Sequence, residues 1–291
     1  MAYTTTELLA SIKRRANIPS ASGVFGDAEL LTMATEELRT YIVPLVLKHR
    51  EDYWLTFTDL PLTSATTYPV PSRAIGGKLS EVSVVDANGT ESNVPRVSPY
   101  DLAGARVGFY MDGLGVRMFL RDAQPPSILG VSLRLRYYLR PSTLIATTAA
   151  ATVASGTGPW TLSGGYATLT TPGTYDCIVG GSPFGVRQAS FAGSIAGTAL
   201  TAATLVTASA GDWISMEDTS PVVQAPVEFH DLLAQKVAVK VMESKGMTEK
   251  LTNARQELGR METDASNLIT PRVDGEPQRA VSRGGLFRMR W

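Results

Sequence analysis

Near the N-terminus apolar positions recur at intervals of three and four. Leu8, Leu9, Ile12 and Ala16 share one helical face behind Thr4-Thr5-Thr6-Glu7, where a Thr three residues ahead of a Glu can close a capping box. Pro19 is expected to end this helix. Gly26-Asp27 offers a second start, after which Leu30, Leu31, Ala34, Leu38, Tyr41, Ile42, Leu45 and Val46 continue as a stripe. Pro44 lies inside that stripe and should kink or break the helix, because it has no amide hydrogen and crowds the preceding turn.

From Tyr53 the period becomes two. Strands are expected at 54–57, 79–85, 107–110, 116–120 and 131–137, with hairpin turns at Asp86-Ala87-Asn88-Gly89 and Asp112-Gly113-Leu114-Gly115. The last of these strands sets Arg134 and Arg136 opposite its aliphatic side chains. Residues 144–221 hold shorter alternating runs, around Trp160, Tyr166, Tyr175 and Trp213, separated by glycine. That spacing suits a small barrel or sandwich. Helix returns at Pro226 with Val227, Leu232, Leu233, Val237, Val241 and Met242, and Gly246 is a natural stop. Thr248 can cap a further helix carrying Leu251, Ala254, Leu258, Met261 and Ala265. This three-four seam suits a partner helix, and Leu251, Ala254, Leu258 and Met261 are assigned to packing between subunits.

The expected class is therefore α+β. N-terminal helices (1–52) and a C-terminal helix pair (222–270) flank an antiparallel β domain (53–143). A Gly/Thr/Ala-rich β insertion (144–221) and an extended tail (271–291) complete the chain. Charge sharpens these boundaries. Lys+Arg and Asp+Glu number 27 each in 291 residues, which removes any global electrostatic case for binding nucleic acid or an anionic membrane. Within the insertion the one basic residue is Arg187, against Asp176, Asp212, Glu217 and Asp218; the tail, by contrast, is basic. No apolar run approaches the ~20 residues that span a bilayer. The opening residues lack a basic region followed by an apolar stretch, so no signal peptide is expected.

Candidate chemistry is sparse. Cys177 is the single cysteine, and His49 and His230 are the two histidines. A disulfide within the chain and a Cys-rich zinc site are excluded, and no metal or cofactor is expected. Cys177 reads as a small buried side chain and His230 as a packing or capping residue. Gly76-Gly77-Lys78 lacks the remaining residues of a phosphate loop and reads as a turn. Asn88-Gly89-Thr90 is a hairpin turn rather than a glycosylation site. Glu36-Glu37 and Glu51-Asp52 are adjacent in sequence and cannot face each other on a helix as an acid/base couple. Lys13-Arg14-Arg15 is either a solvated helix face or a small anion patch. No catalytic constellation emerges, and the chain is expected not to be an enzyme.

The tail is unusual for a terminus. Leu286, Phe287, Met289 and Trp291 alternate with Arg283, Arg288 and Arg290. Either this end folds back on its own core, or it is a docking peptide whose anchors each contribute ~1.5–3 kcal/mol when buried. Trp and Arg are the side chains most enriched at interface hot spots.

The order of these units resembles the head-to-tail connector (adaptor) proteins of tailed bacteriophages. The residues that carry the resemblance are Thr6-Glu7-Leu8-Leu9-Ala10-Ser11-Ile12-Lys13-Arg14-Arg15-Ala16, Ile18-Pro19, Val43-Pro44-Leu45 and Arg50-Glu51-Asp52-Tyr53. Further along they are Tyr68-Pro69-Val70-Pro71-Ser72-Arg73-Ala74-Ile75-Gly76-Gly77-Lys78-Leu79, Tyr137-Tyr138-Leu139-Arg140-Pro141, Gly211-Asp212-Trp213 and Pro226-Val227-Glu228-Phe229-His230-Asp231-Leu232-Leu233-Ala234-Gln235. These are structural signatures, spread over most of the chain. The resemblance implies a ring of like subunits, commonly twelve, in the neck of the virion and assembled in the host cytoplasm. Its partners would be the portal protein above and a tail or nozzle protein below, with DNA passing non-specifically through the channel. It also implies that the tail docks into the portal, with Leu286, Phe287, Met289 and Trp291 as anchors and Arg279, Arg283, Arg288 and Arg290 as charge partners. Another phage tail or collar role, with residues 144–221 as a fibre-attachment platform, is the alternative. A surface-polymer hydrolase would need a paired-carboxylate site, and no such motif is present.

Overall fold

The computed structural model describes residues 2–18, 25–63, 67–100, 107–113, 115–120, 131–155, 159–182, 186–203 and 207–270. Helices from both ends of the chain meet in one body. Helix α1 (Thr5–Arg15) opens with the expected capping box: the Glu7 amide donates to Thr4 Oγ1 at 3.3 Å, and the Thr4 amide donates to Glu7 Oε2 at 2.7 Å. It ends before Pro19 is reached. Asn17 takes a left-handed φ of 50°, and the Ile18 amide bonds back to the Lys13 carbonyl, a C-terminal cap that needs no proline.

Helix α2 (Asp27–Glu37) continues through a π turn, Leu38–Ile42, into α3 (Val43–His49). Helical structure therefore does not break at Pro44. The ladder widens just before it, the Val43 amide bonding five residues back to Leu38, and the wider turn accommodates a residue that cannot donate. Helix α4 (His230–Ser244) lies at the centre, with Leu232, Leu233, Ala234, Val237, Ala238 and Val241 fully buried. Burial around most of its circumference is what an axis packed by α1, α2 and α5 (Thr248–Ile269) requires, while Asp231, Lys236, Lys240 and Glu243 stay exposed or part-exposed. Gly246, at φ 66°, turns the chain between α4 and α5. Met247, not Thr248, precedes the first turn of α5, and no side chain caps it.

The β domain is two sheets face to face. One has the order β1 (Leu55–Pro61), β7 (Ser132–Leu139), β3 (Ala74–Val85) and β4 (Glu91–Asn93). The other has β2 (Thr67–Pro69), β6 (Gly115–Leu120) and β5 (Val107–Asp112). Every pairing among these strands is antiparallel, and both expected hairpins are present. Leu133, Leu135, Val82, Val116 and Phe109 fill the space between the sheets. Arg134 and Arg136 stand on the outer face as the alternation requires. Arg134 forks onto Asp59 at 2.8 Å through two nitrogens, and Arg136 meets Glu91 at 2.8 Å. The Ser83 hydroxyl and then Arg136 hold the Glu91 carboxyl down at about 2. Gly76 and Gly77 are not a free turn. Both take left-handed φ inside β3, where the register against β7 shifts, so they form a bulge.

The insertion closes into a barrel of order β10 (Trp160–Gly164), β13 (Ala199–Ala202), β12 (Arg187–Ala196), β11 (Gly173–Ile178), β14 (Trp213–Met216) and β9 (Ala151–Ser155), with β9 pairing back to β10. Trp160, Tyr175, Cys177, Phe191, Leu200 and Ile214 fill it. The chain enters through β8 (Thr143–Leu144) and leaves through β15 (Thr219–Ser220), which pair in parallel. No helix among the described residues is long and apolar enough to cross a membrane.

His230 lies at the base of α4, stacked on Tyr3 at 4.5 Å, with Nε2 3.0 Å from the Ala225 carbonyl. Burial, the dominant influence, lowers its pKa below the ordinary 6.5. The unfolded chain therefore takes up this proton first, and folding stability present above about pH 6.5 is lost as the pH falls toward the lower folded value. Thermal melts between about pH 7 and about pH 5 should fall more steeply for the wild type than for His230→Phe. Parallel slopes would show that this imidazole is not the acid-sensitive group.

Candidate functional site

Three units meet at one buried polar cluster. Along β11, Tyr175 and Cys177 point into the barrel, which leaves Asp176 and Ile178 on its outer side. A solitary barrel would give that side to water. Here both residues are fully buried, Ile178 against Ala2, Val222 and Trp213, and Asp176 against arginine. Arg73, just ahead of β3, reaches across from the β domain and places Nη1 2.9 Å from Asp176 Oδ2. Its Nε meets Asp218 at 2.7 Å, and its Nη2 donates to the Arg140 carbonyl at 3.1 Å and to Ser142 Oγ at 2.7 Å. Arg187 adds a 3.3 Å contact to Asp176 Oδ1, and the Asp218 amide donates to Oδ2 at 3.1 Å. One guanidinium thus holds the barrel and the strands entering and leaving it. A planar fork of five donors can do this; a lysine point charge cannot.

The helical body joins the same junction. Thr35 Oγ1 accepts from the Leu144 amide, Thr5 Oγ1 donates to the Ile145 carbonyl, and the Thr5 amide donates to the Pro221 carbonyl. Arg39 donates to the Pro141 carbonyl at 3.2 Å and to Thr143 Oγ1 at 3.0 Å. Its pKa is lowered, first by burial and then by the neighbouring Arg140 guanidinium.

Beside this cluster lies a cleft of about 350 Å3. Trp54, Leu55, Leu139 and Val186 supply an apolar wall, and Arg50, Asp52, Arg187 and Gln224 supply polar groups, with Arg50 paired to Asp52 at 3.3 Å and Arg187 to Asp176. Gln224 is only 6% exposed. Its Oε1 accepts from the Ser142 amide at 2.7 Å, which fixes the orientation of the side chain. Its Nε2 is buried without a hydrogen-bond partner. A buried donor left in that state costs about 1–3 kcal/mol; Nε2 is enclosed behind the cleft wall, out of reach of water.

The residues singled out from the sequence fall in different places. Leu251, Ala254, Leu258 and Met261 do form a seam, but they belong to the core of their own subunit, packed with α4 and the N-terminal helices. Ala254 and Leu258 are buried there and Leu251 and Met261 part-buried, and the assignment of the four to packing between subunits stays a proposal. The covalent neighbours of α5 supply its partner helices, so a buried three-four stripe marks helix pairing without saying which chain provides the mate. Arg279, Arg283, Leu286, Phe287, Arg288, Met289, Arg290 and Trp291 lie outside the described residues. Cys177 is sealed in the barrel, where burial, ahead of the nearby Asp212 and Asp176 carboxylates, pushes its thiol up to about 12. Lys13 and Arg15 are spent on Asp27 and Asp231. Lys240 holds both Glu36 and Glu37.

Arg73, Asp176 and Gln224 were not foreseen as a site. Tyr-Asp-Cys-Ile reads as an ordinary barrel strand, and a scarcity of charge in the insertion was the one sign that each of its aspartates needed an explanation. No protein-family model matches the chain, and no curated protein matches it.

Replacing Asp176 by Asn keeps the shape but leaves two guanidiniums without their shared carboxylate. Urea unfolding followed by tryptophan fluorescence should show a loss of about 3 kcal/mol or more, the usual cost of breaking a buried ion pair. Combining Asp176→Leu with Arg73→Met should recover part of it. A loss under about 1 kcal/mol, typical of a surface pair, would remove the junction role.

Proposed function

We propose that the chain is a non-enzymatic structural subunit of a phage particle, a head-to-tail adaptor that forms a ring under the portal. The observation that best supports this reading is the combination of two features. Both ends of the chain build one helical body, and the basic, aromatic segment 271–291 begins where that body ends, at Thr270 beside His49. The two β units are held to the body by a clamped junction, so each subunit offers neighbours a β-sandwich, a barrel and a helical body in a set arrangement. Cys177 and His230, the side chains best suited to nucleophilic or acid–base chemistry, are occupied in packing.

In this reading the segment 271–291 enters the portal, with Leu286, Phe287, Met289 and Trp291 as anchors. One modest contact per subunit becomes a strong attachment through ring multivalency. Contacts between subunits draw on α5, at the part-buried Leu251 and Met261 beside Ala254 and Leu258. A tail or nozzle protein binds the far side, and DNA passes without sequence-specific contact.

Native mass spectrometry of the full chain, and of a version ending at Thr270, each mixed with the portal protein of the same phage, tests the reading. A discrete ring on the portal that requires residues 271–291 is the expected result. A monomer with no portal binding in either version would move the assignment to a peripheral tail or collar role, with the barrel as the attachment platform.

A further inference from the structure

Among the described residues β1 is the one long strand edge left open. The barrel closes on itself and has no edge. β5 is bridged by residues 95–97, where the Phe109 amide donates to the Pro95 carbonyl and the Val97 amide to the Phe109 carbonyl. The remaining outer strands, β4 and β2, have three residues each, one carrying Glu91 and the other ending on Pro69. Short, charged or proline-bearing edges are how folds prevent stray strand pairing. β1 lacks these guards before its last residue, Pro61. It runs seven residues in unbroken register with β7, and its single charge, Asp59, is held by the fork of Arg134. Leu55 and Phe57 stand 40% and 49% exposed on its outer face.

The ladder fixes which backbone groups this edge offers. The Leu62 amide donates to the carbonyl of Val131, directly opposite it. Alternation along an antiparallel pair then turns the peptide groups of Thr56, Thr58 and Leu60 toward β7, and those of Leu55, Phe57, Asp59 and Pro61 away from it. Of these four, Leu55 spends its amide on the Asp52 carbonyl, and proline has none. Two amides, Phe57 and Asp59, therefore face outward with no acceptor among the described residues, and their carbonyls face outward with them.

This set complements itself. Two such edges running antiparallel about a two-fold axis through Thr58 overlap over all seven residues. Phe57 of one copy then lies opposite Asp59 of the other, and each such pair exchanges two N–H···O=C bonds, so every outward amide is used. Leu55 meets Pro61, the two positions with no amide to offer. On the outer face Phe57 packs beside the second copy's Asp59, whose charge Arg134 already neutralises; on the other face Thr58 meets Thr58.

We propose that β1 is a self-pairing edge, through which free subunits associate with a second copy of the chain and join two four-stranded sheets into one. A contact confined to one strand is small for an interface, so the pair depends on concentration and can part when subunits enter a larger assembly. The inference does not rest on the adaptor reading. Its test contains no portal protein, so the two fail separately.

Sedimentation velocity on the isolated full chain should show a dimer that grows in between about 1 and about 300 μM. Phe57→Pro removes an outward donor while leaving the ladder to β7 intact, and Phe57→Lys adds the charge that guards other edges. Each should weaken the dimer about tenfold or more. Disulfides read the register, because Cys177 is buried and does not compete. In Thr58→Cys the two thiols meet across a non-hydrogen-bonded pair, within reach of a disulfide. Under mild oxidation that variant should link two chains about tenfold faster than Ser92→Cys on the opposite edge. A wild-type chain that stays monomeric over this range would overturn the proposal. So would a dimer unaffected by Phe57→Lys, or a Thr58→Cys link no faster than that of Ser92→Cys. Phe57→Lys alters an exposed side chain, which keeps the test decisive even if Phe57→Pro fails to fold.

Discussion

Burying a carboxylate on the outer face of a barrel strand forces a cation to meet it, and here the cation comes from another unit of the fold. Asp176 has no access to water, and Arg73 is nearly as buried. Desolvating two charges is costly and is offset only when their remaining hydrogen-bonding capacity is filled. Arg73 meets that condition by engaging Asp218, the Arg140 carbonyl and Ser142 as well, so the requirement for full satisfaction ties the β domain to both strands of the barrel's neck. An apolar contact of similar area would tolerate sliding or rotation between the units. A forked guanidinium on three segments tolerates neither, because any rotation strands a buried charge.

The β domain shows how far local pattern reaches. Alternation in Ser132–Leu139 assigns Leu133 and Leu135 to the core and Arg134 and Arg136 to the outer face, and the turn residues place both hairpins. The capping box at Thr4 and the stop at Gly246 are equally legible, because a cap is settled within a few residues. The barrel's existence could be read from its spacing, but its closure depends on β9 meeting β10 and β14, which no local signal states. Pro44 shows a local rule outweighed by its surroundings: a proline that lacks a donor is accommodated by widening one turn, and the helical path to His49 survives. At the junction the limit is different in kind. Nothing near Arg73 in sequence indicates a carboxylate about a hundred positions away, and Gln224 acquires its meaning only from Ser142.

The buried face of α5 is informative for the same reason. A stripe at three-four spacing reports that a helix has a mate; that mate is chiefly α4, with the N-terminal helices joining through Tyr41, which donates to Glu262 at 2.6 Å, and through His49 against Thr270.

The helical body has one more consequence, for synthesis. Leu8, Ile12, Leu30 and Leu38 complete their core only against α4, whose first residue lies nearly two hundred positions downstream of α2. At about 5–20 residues per second the ribosome takes on the order of ten seconds or more to cover that distance. During that interval the sandwich and the barrel, each with a cluster of its own, can close while the first helices wait with their apolar faces uncovered. The nascent chain therefore finishes its middle before its beginning, and a chaperone that shelters amphipathic helices would find its client in the first fifty residues.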